Sequence, residues 1–150
     1  MRLKPHRILI VDDDPTILLI LARTLTRAGY EVVQAKGPEE ALAFLEQEGP
    51  FDLAITDNQM PGMTGVALLA EMRVRHPEMI RILLTGHADV ETAVRAINDG
   101  QIFRFLSKPW DAGAMKVMLA AAFAQLDVDR EHRRLIARAR GLADKLSVMA

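Results

Sequence analysis

The stretch Phe51–Asp57 (FDLAITD), followed by NQMPG at 58–62, decides how the whole chain is interpreted. It is a short apolar run bounded by turn signals, which is typical of a buried strand. The strand ends at Asp57, and Pro61 and Gly62 then turn the chain. A carboxylate in that place is either a solvated loop residue or a reactive group held by a rigid sheet. Polar residues elsewhere in the chain decide between these alternatives.

Length and composition limit the class of protein. The chain has 150 residues, half of them hydrophobic, and its 19 basic and 20 acidic residues give a net charge of −1. This favours one globular domain with a real core, and nothing in the charge indicates nucleic acid or an anionic membrane as a partner. The absence of cysteine excludes disulfides and thiolate metal sites and fits a cytoplasmic location. No signal peptide or membrane-spanning run is expected.

Short apolar runs alternate with helical patterns along the chain. Because strands that are apolar along their whole length imply a parallel sheet covered on both faces, we expect an α/β, doubly wound, five-stranded parallel sheet in the order 2-1-3-4-5. The predicted strands are Arg7–Val11, Tyr30–Ala35, the strand ending at Asp57, Ile80–Leu84 and Ile102–Leu106. The predicted helices begin near Pro15, Pro38, Thr64, Asp89 and Asp111, and the last is extended.

Polar residues follow four of these strands at one edge of the predicted sheet. Asp12 and Asp13 follow the first strand, Asp57 ends the third, and Thr85 and Lys108 follow the fourth and fifth. Three close carboxylates repel one another unless a cation lies among them, and oxygen donors alone favour Mg²⁺ or Mn²⁺. Together with a lysine and a hydroxyl, they predict a phosphoryl-transfer site with Asp57 as the nucleophile.

Each of these residues also has a purely structural interpretation. The acidic triplet at 12–14 could simply cap a helix, Thr85 could be a loop hydroxyl, and Lys108 could be a solvated residue at a strand end. We favour a functional site because chance rarely places all of them at matching strand ends.

The sequence resembles the receiver domain of two-component response regulators, which act in phosphorelay signal transduction, over roughly residues 6–125. The resemblance implies a flavodoxin-like fold. The motifs that carry it are Asp12-Asp13, Asp57 with Met60-Pro61-Gly62, Thr85-Gly86 and Lys108-Pro109, with Phe105 three residues before the lysine.

The resemblance implies a phosphoacceptor and a metal site. Asp57 would accept phosphate from a histidine kinase, a phosphotransfer protein or a small phosphodonor. Asp13 and Asp57 would bind Mg²⁺ directly, the backbone carbonyl of Gln59 would be a third ligand, and Asp12 would act through water.

The resemblance also implies a conformational switch. Lys108 would hold a phosphoryl oxygen, and its bond to Pro109 would be cis. Thr85 would shift to meet the phosphate while Phe105, which lacks a tyrosine hydroxyl, turns inward behind it. Gln59 and His87 would flank the path of the attacking water and tune the lifetime of the phosphate.

The last part of the chain is helical beyond the expected end of the receiver, so we predict a receiver domain over 1–125 and a helical linker over 126–150. Residues 97–110 resemble receivers joined to HD-type cyclic-di-GMP phosphodiesterases or to hydrogenase-type transcription activators. The linker would then lead to an output domain missing from this chain, or dock on a partner. A parallel coiled-coil homodimer is predicted by Val128, Leu135, Leu142 and Met149, with His132, Ala139 and Leu146 between them.

Two alternatives remain at this stage. A pseudo-receiver would never take phosphate and would act as an interaction module, but the intact acidic set argues against it. Asp12-x-Asp14-x-Thr16 also fits the signature of haloacid-dehalogenase-type phosphatases, with Asp12 as nucleophile and Asp14 as general acid. That alternative leaves the motif after Asp57 unexplained. We therefore expect no enzyme activity beyond the protein's own phosphorylation and dephosphorylation.

Overall fold

The computed structural model describes residues 4–86, 90–98 and 104–149, and the structural statements below refer to these residues. Strands and helices alternate five times along the chain. The strands are β1 (Arg7–Val11), β2 (Glu31–Ala35), β3 (Leu53–Asp57), β4 (Ile80–Thr85) and β5 (Arg104–Ser107). The helices are α1 (Pro15–Arg27), α2 (Pro38–Gln47), α3 (Gly65–Arg75), α4 (Val90–Asn98) and α5 (Ala112–Met149).

The five strands form one parallel sheet in the order β2-β1-β3-β4-β5, which confirms the predicted fold class and strand order. β3 lies at the centre and every one of its residues is buried. Its neighbours are β1, with Val11 opposite Thr56, and β4, with Leu84 opposite Asp57. The carboxyl ends of β1, β3, β4 and β5 therefore lie side by side along one edge of the sheet.

Local sequence signals explain where the helices begin. The side chain of Asp14 accepts a hydrogen bond from the backbone N–H of Thr16, and Pro15 occupies the first helical position of α1. The side chain of Thr64 accepts a hydrogen bond from the N–H of Ala67 and caps α3 in the same way. Both caps follow strands that carry predicted site residues, so they hold the chain close to that edge as it leaves the sheet.

The predicted element ends differ from the observed ones by one or two residues, and β3 begins at Leu53 rather than at Phe51. β2 begins at Glu31 rather than Tyr30, and β4 continues to Thr85. β5 extends to Ser107, whereas its predicted start at Ile102 lies outside the described residues, as does Asp89, the predicted start of α4. Terminal residues make only some of the hydrogen bonds of their element, so sequence patterns locate them least well.

The hydrophobic core lies between the sheet and the helices that cover it, and consists of apolar residues from both. Its fully buried members include Leu9 from β1, Ala54 from β3 and Leu83 from β4, packed together with Leu68 and Met72 from α3. Burial of each of the leucine and methionine side chains stabilises a fold by about 1.5–3 kcal/mol. This packing fixes the positions of the strands, and therefore also the positions of the residues at their ends.

The chain divides into two compact units, residues 1–115 and 116–150. The second unit consists of the remainder of α5, which continues without a break to Met149. The division predicted between 125 and 126 stays a prediction. None of the described helices is long and apolar enough to cross a membrane.

Gly65 allows the start of α3 to lie against the end of β3. A Cβ atom at this position would lie 2.1 Å from the carbonyl oxygen of Asp57 and 2.9 Å from the Cα of Asn58. The N–H of Gly65 donates to the carbonyl oxygen of Asn58 at 2.9 Å. Only glycine fits between these backbone atoms without moving them.

We expect Gly65→Ala to lower the free energy of unfolding by about 1–3 kcal/mol, because the new methyl group must push α3 away from the backbone of Asp57. The measurement is urea unfolding followed by circular dichroism. The control is Gly37→Ala, where an added Cβ would meet no atom within 4 Å, and its effect should stay below about 1 kcal/mol. Equal losses in both variants would show that the close approach at Gly65 is not important.

Candidate functional site

Three carboxylates converge at the edge of the sheet where their strands end. Asp12 follows β1, and its backbone N–H donates to the carbonyl oxygen of Ala35 at 3.2 Å, which extends the pairing of β1 with β2. Asp57 is the last residue of β3. Asp12, Asp13 and Asp57 each offer a carboxylate oxygen within 4.8 Å of the others. The structure therefore brings together the acidic residues that the sequence placed in one pocket.

The three carboxylates differ in their access to solvent. Asp12 is 1% exposed and Asp57 is 8% exposed, whereas Asp13 is exposed. Two carboxylates thus form the floor of the site and the third stands at its mouth. A group that enters from solvent meets Asp13 first and Asp57 below it.

Lys108 joins the two buried carboxylates. Its Nζ atom lies 3.0 Å from Oδ2 of Asp12 and 2.9 Å from Oδ1 of Asp57. The backbone places it there, because the N–H of Lys108 donates to the carbonyl oxygen of Thr85 at 2.8 Å. The bond from Lys108 to Pro109 is cis, as the resemblance implied. Among the described residues, Lys108 is the one cation that forms an ion pair with Asp57.

Burial and pairing act on the pKa values of this group in opposite directions. Burial raises the pKa of Asp12 above its usual range, although the N–H of Asp14 and the ammonium of Lys108 both favour its charged form. Burial alone would lower the pKa of Lys108, but its hydrogen bonds to Asp57 and Asp12 outweigh burial and raise it. The lysine therefore stays charged, whereas ionisation of Asp12 lowers the stability of the folded protein.

The donor set fits a hard divalent cation. All three side chains offer oxygen, and they converge without any nitrogen or sulfur ligand among them. Oxygen donors at this spacing suit Mg²⁺ or Mn²⁺ rather than a transition metal that prefers imidazole or thiolate. Gln59 lies exposed in the turn that follows β3. Its backbone carbonyl as a further ligand stays a prediction.

Thr85 and Phe105 lie on neighbouring strands. Thr85 is fully buried at the end of β4, and its hydroxyl donates to the carbonyl oxygen of Gly86 at 3.2 Å. Phe105 in β5 stands opposite Leu83 and is half-buried against the core. Leu83 and Thr85 are two residues apart on β4 and therefore point to the same face of the sheet. Because Phe105 is paired with Leu83, it lies on that face as well. His87 lies outside the described residues.

Two polar contacts beside the site were not anticipated from the sequence. Asn58 is buried, and its Oδ1 atom accepts a hydrogen bond from the N–H of Val66 at 3.3 Å. Oδ1 of Asp12 accepts one from the N–H of Asp14 at 2.9 Å. An asparagine or aspartate just before a turn commonly binds backbone N–H groups, and that signal could have identified both. Asp14 itself is exposed, caps α1 and is not part of the carboxylate cluster.

We expect Asp12→Asn to raise the Tm of the metal-free protein by a few degrees at pH 7. Because folding raises the pKa of Asp12, its contribution to stability is present below its unfolded pKa and is lost as the pH rises through its folded pKa. Asparagine keeps an oxygen for the N–H of Asp14 but carries no buried charge. The measurement is thermal unfolding in EDTA, with Asp14→Asn as the control outside the cluster.

The gain should shrink below about pH 3, where the wild-type carboxyl is protonated in both states. A lower Tm for Asp12→Asn at pH 7 would contradict this expectation, since attraction to Lys108 would then outweigh the cost of burial.

Comparisons with known proteins place this arrangement in a family. Residues 8–120 match the response regulator receiver domain. The chain is similar to the transcriptional regulatory protein GlrR of Escherichia coli K12, with 41% identity over 122 residues, which cover 81% of this chain and 27% of GlrR. The chain spans about a quarter of the length of the curated relatives it matches.

Two solved structures are similar over nearly their whole length. A crystal structure described as adenylate cyclase from Rhodopirellula baltica is 36% identical in sequence and has a TM-score of 0.82. The match covers 88% of this chain and 97% of that structure. The signal receiver domain of an HD domain-containing protein from Pseudomonas fluorescens Pf-5 is 35% identical and has a TM-score of 0.79. The match covers 87% of this chain and 96% of that domain. Receivers of this kind are thus found in proteins with different further domains. The chain belongs to the receiver domains of two-component response regulators, which are signalling modules with a phosphoacceptor role.

Proposed function

We propose that Asp57 is the phosphoacceptor of this receiver and that a histidine kinase or a phosphotransfer protein supplies the phosphoryl group. The observation that carries the proposal is the position of Asp57 at the end of the central strand. Its Oδ1 atom lies 2.9 Å from Nζ of Lys108, and its carboxylate is within 4.8 Å of those of Asp12 and Asp13. A nucleophile held between an ammonium group and a cation-binding carboxylate pair is arranged for phosphoryl transfer.

The reaction requires little from the protein besides positioning and charge. A carboxylate oxygen of Asp57 attacks the phosphorus atom, the bond from phosphorus to the donor breaks, and the donor leaves with its electron pair. The ammonium of Lys108, already beside Asp57, offsets negative charge on the phosphoryl oxygens. Asp12, Asp13 and Asp57 with the carbonyl of Gln59 would hold Mg²⁺ or Mn²⁺, which would supply further positive charge at those oxygens when bound.

Phosphorylation would then bias a two-state element through Thr85 and Phe105. The hydroxyl of Thr85 donates to the neighbouring carbonyl oxygen of Gly86 at 3.2 Å, and a phosphoryl group on Asp57 offers stronger, charged acceptors. A shift of Thr85 toward Asp57 leaves space on the face of the sheet that it shares with Phe105. The half-buried ring of Phe105 can turn into that space. Gln59 and His87 would set how long the phosphate persists.

The readout of the switch lies outside residues 1–125. We propose that α5 connects the receiver to an output domain or a partner, and that two copies pair through residues 126–150. We propose a cytoplasmic location and no turnover beyond phosphorylation and dephosphorylation of Asp57.

We expect Asp57→Asn to abolish labelling by acetyl phosphate in the presence of Mg²⁺, because an amide oxygen is not a nucleophile for phosphorus at neutral pH. Intact mass and peptide mapping should show one added phosphoryl group on Asp57 in the wild-type chain and none in the variant. The matched control is Asp14→Asn, which lies on the same edge and keeps its helix cap, and which should be labelled as the wild type is.

Other outcomes separate the alternatives. A label on Asp12 with steady release of phosphate would support a haloacid-dehalogenase-type phosphatase instead. A folded wild-type chain that takes no label from acetyl phosphate or from phosphorylated kinases would support the pseudo-receiver.

We expect Asp13→Asn to weaken Mg²⁺ binding about tenfold or more, since it removes one charged ligand at the mouth of the site. The measurement is isothermal titration calorimetry with MgCl₂, supported by the fluorescence of Trp110. Asp14→Asn is again the control, because its carboxylate lies outside the cluster. Equal affinity in Asp13→Asn and the wild type would exclude Asp13 as a ligand.

A further inference from the structure

The second unit presents an apolar stripe along α5. We call the tail stripe the row formed by Val128, His132, Leu135, Ala139, Leu142 and Leu146. These positions recur at alternating steps of four and three residues, and the helix runs through all of them without a break. The four largest apolar members are between 51% and 66% exposed. Apolar residues sustained at this spacing are typical of a helix that pairs with another helix.

We propose that the tail stripe pairs with the tail stripe of a second copy of this chain, and that the two helices run antiparallel. The inference rests on the homodimer suggested under Proposed function and specifies its geometry. It differs from the parallel pairing that the heptad spacing alone suggests. Two properties of the stripe separate the orientations: the sizes of its residues and the charges beside it.

Residue size favours the antiparallel orientation. In a parallel pair each residue faces its own copy, so Ala139 would face Ala139 between two wider layers formed by Leu135 and Leu142. The distance between helix axes would have to change from layer to layer, or a gap would remain beside the alanines. The antiparallel pair instead places Leu135 against Ala139 and Val128 against Leu146, so that a larger residue faces a smaller one in these layers. His132 faces Leu142, a residue of similar size, and each layer is formed twice.

The parallel orientation also places the two histidines side by side. His132 would face His132 across the pair, and two imidazoles stacked in a seam bring polar nitrogens into the interface. In the antiparallel pair His132 faces Leu142, and its ring edge can reach solvent beside the smaller neighbouring layers. The stripe thus loses its least favourable layer when one helix is reversed.

Charges that flank the stripe favour the same orientation. Reversal places Glu131 beside Lys145 of the second copy, and symmetry repeats this pair at the other end. In the parallel register Glu131 would lie beside Ile136, and the contact within its own helix, to Arg134 at 2.6 Å, would stay its main ion pair. Arg138 lies near the two-fold axis of the antiparallel pair and faces its own copy, which is a cost shared by two exposed side chains that can bend away.

The orientation fixes where the two receivers are attached. In the antiparallel pair, position 129 of one helix lies level with position 145 of the other, so the two copies of Asp129 are about 24 Å apart along the axis at 1.5 Å per residue. The two Arg138 residues are almost level. In a parallel pair both positions are level with their copies, and each pair is separated by little more than the interaxial distance of about 8–10 Å.

The absence of cysteine makes this geometry measurable in the full chain. Asp129→Cys and Arg138→Cys, each carrying a spin label, are compared by electron paramagnetic resonance. We expect a long separation, above about 24 Å, for the label at 129 and a short one for the label at 138. Short separations at both positions would overturn the antiparallel arrangement while the homodimer stands. No interaction at either position, with a single-copy mass in sedimentation, would overturn both.

A charge-reversal experiment tests the same geometry without labels. Glu131→Lys should weaken self-association about fivefold at low salt, because it places two lysines side by side at each end of the antiparallel pair. Adding Lys145→Glu should restore the wild-type association, although neither change restores the contact to Arg134. Failure of the second change to rescue the first would contradict the proposal. None of these residues belongs to the acceptor site, so labelling of Asp57 by acetyl phosphate should remain unchanged in every variant.

Discussion

The ammonium group of Lys108 between Asp12 and Asp57 is the interaction on which the rest of the site depends. Two nearly buried carboxylates at the ends of adjacent strands repel each other, and a folded chain tolerates them only with a compensating charge. Lys108 supplies that charge from the far strand, β5, at 3.0 Å and 2.9 Å. The cis bond after it and the hydrogen bond from its N–H to Thr85 both belong to the turn that carries it. Lys108 thus connects the ends of four strands: its side chain contacts residues at the ends of β1 and β3, and its backbone N–H binds the end of β4 beside its own strand, β5.

This arrangement explains why the site holds a surplus of negative charge. Three carboxylates face one ammonium group, so the cluster carries a net negative charge that favours the binding of a cation. Burial raises the pKa of Asp12, and the negative charge of Asp57 adds to that effect. A binding site built this way gives up some stability of the fold in exchange for affinity, as polar sites in rigid scaffolds commonly do. The central strands, buried on both faces, provide the stability that offsets it.

Most of the fold followed from the sequence because its signals are local and repeated. Asp14 with Pro15, and the apolar runs that end at Val11 and Asp57, each predict one element from a few residues, and the parallel sheet follows from their alternation. The edge that gathers the polar residues follows from the sheet order alone. What the sequence could not provide was distance and direction. Whether Lys108 contacts one carboxylate or two, and whether Asp14 joins the cluster or caps a helix, depends on packing between residues far apart in the chain.

The start of α3 is held against the acceptor site by two hydrogen bonds to Asn58. The N–H groups of Gly65 and Val66 both bind Asn58, the residue directly after Asp57, through its carbonyl oxygen and its side chain. These two amides are at the first turn of a helix, where N–H groups have no partner within the helix itself. Their protection from hydrogen exchange therefore depends on the backbone at the acceptor site keeping its shape. Any local opening of the turn after Asp57 exposes them to solvent, so the slow exchange of two amides reports the integrity of the site from outside it.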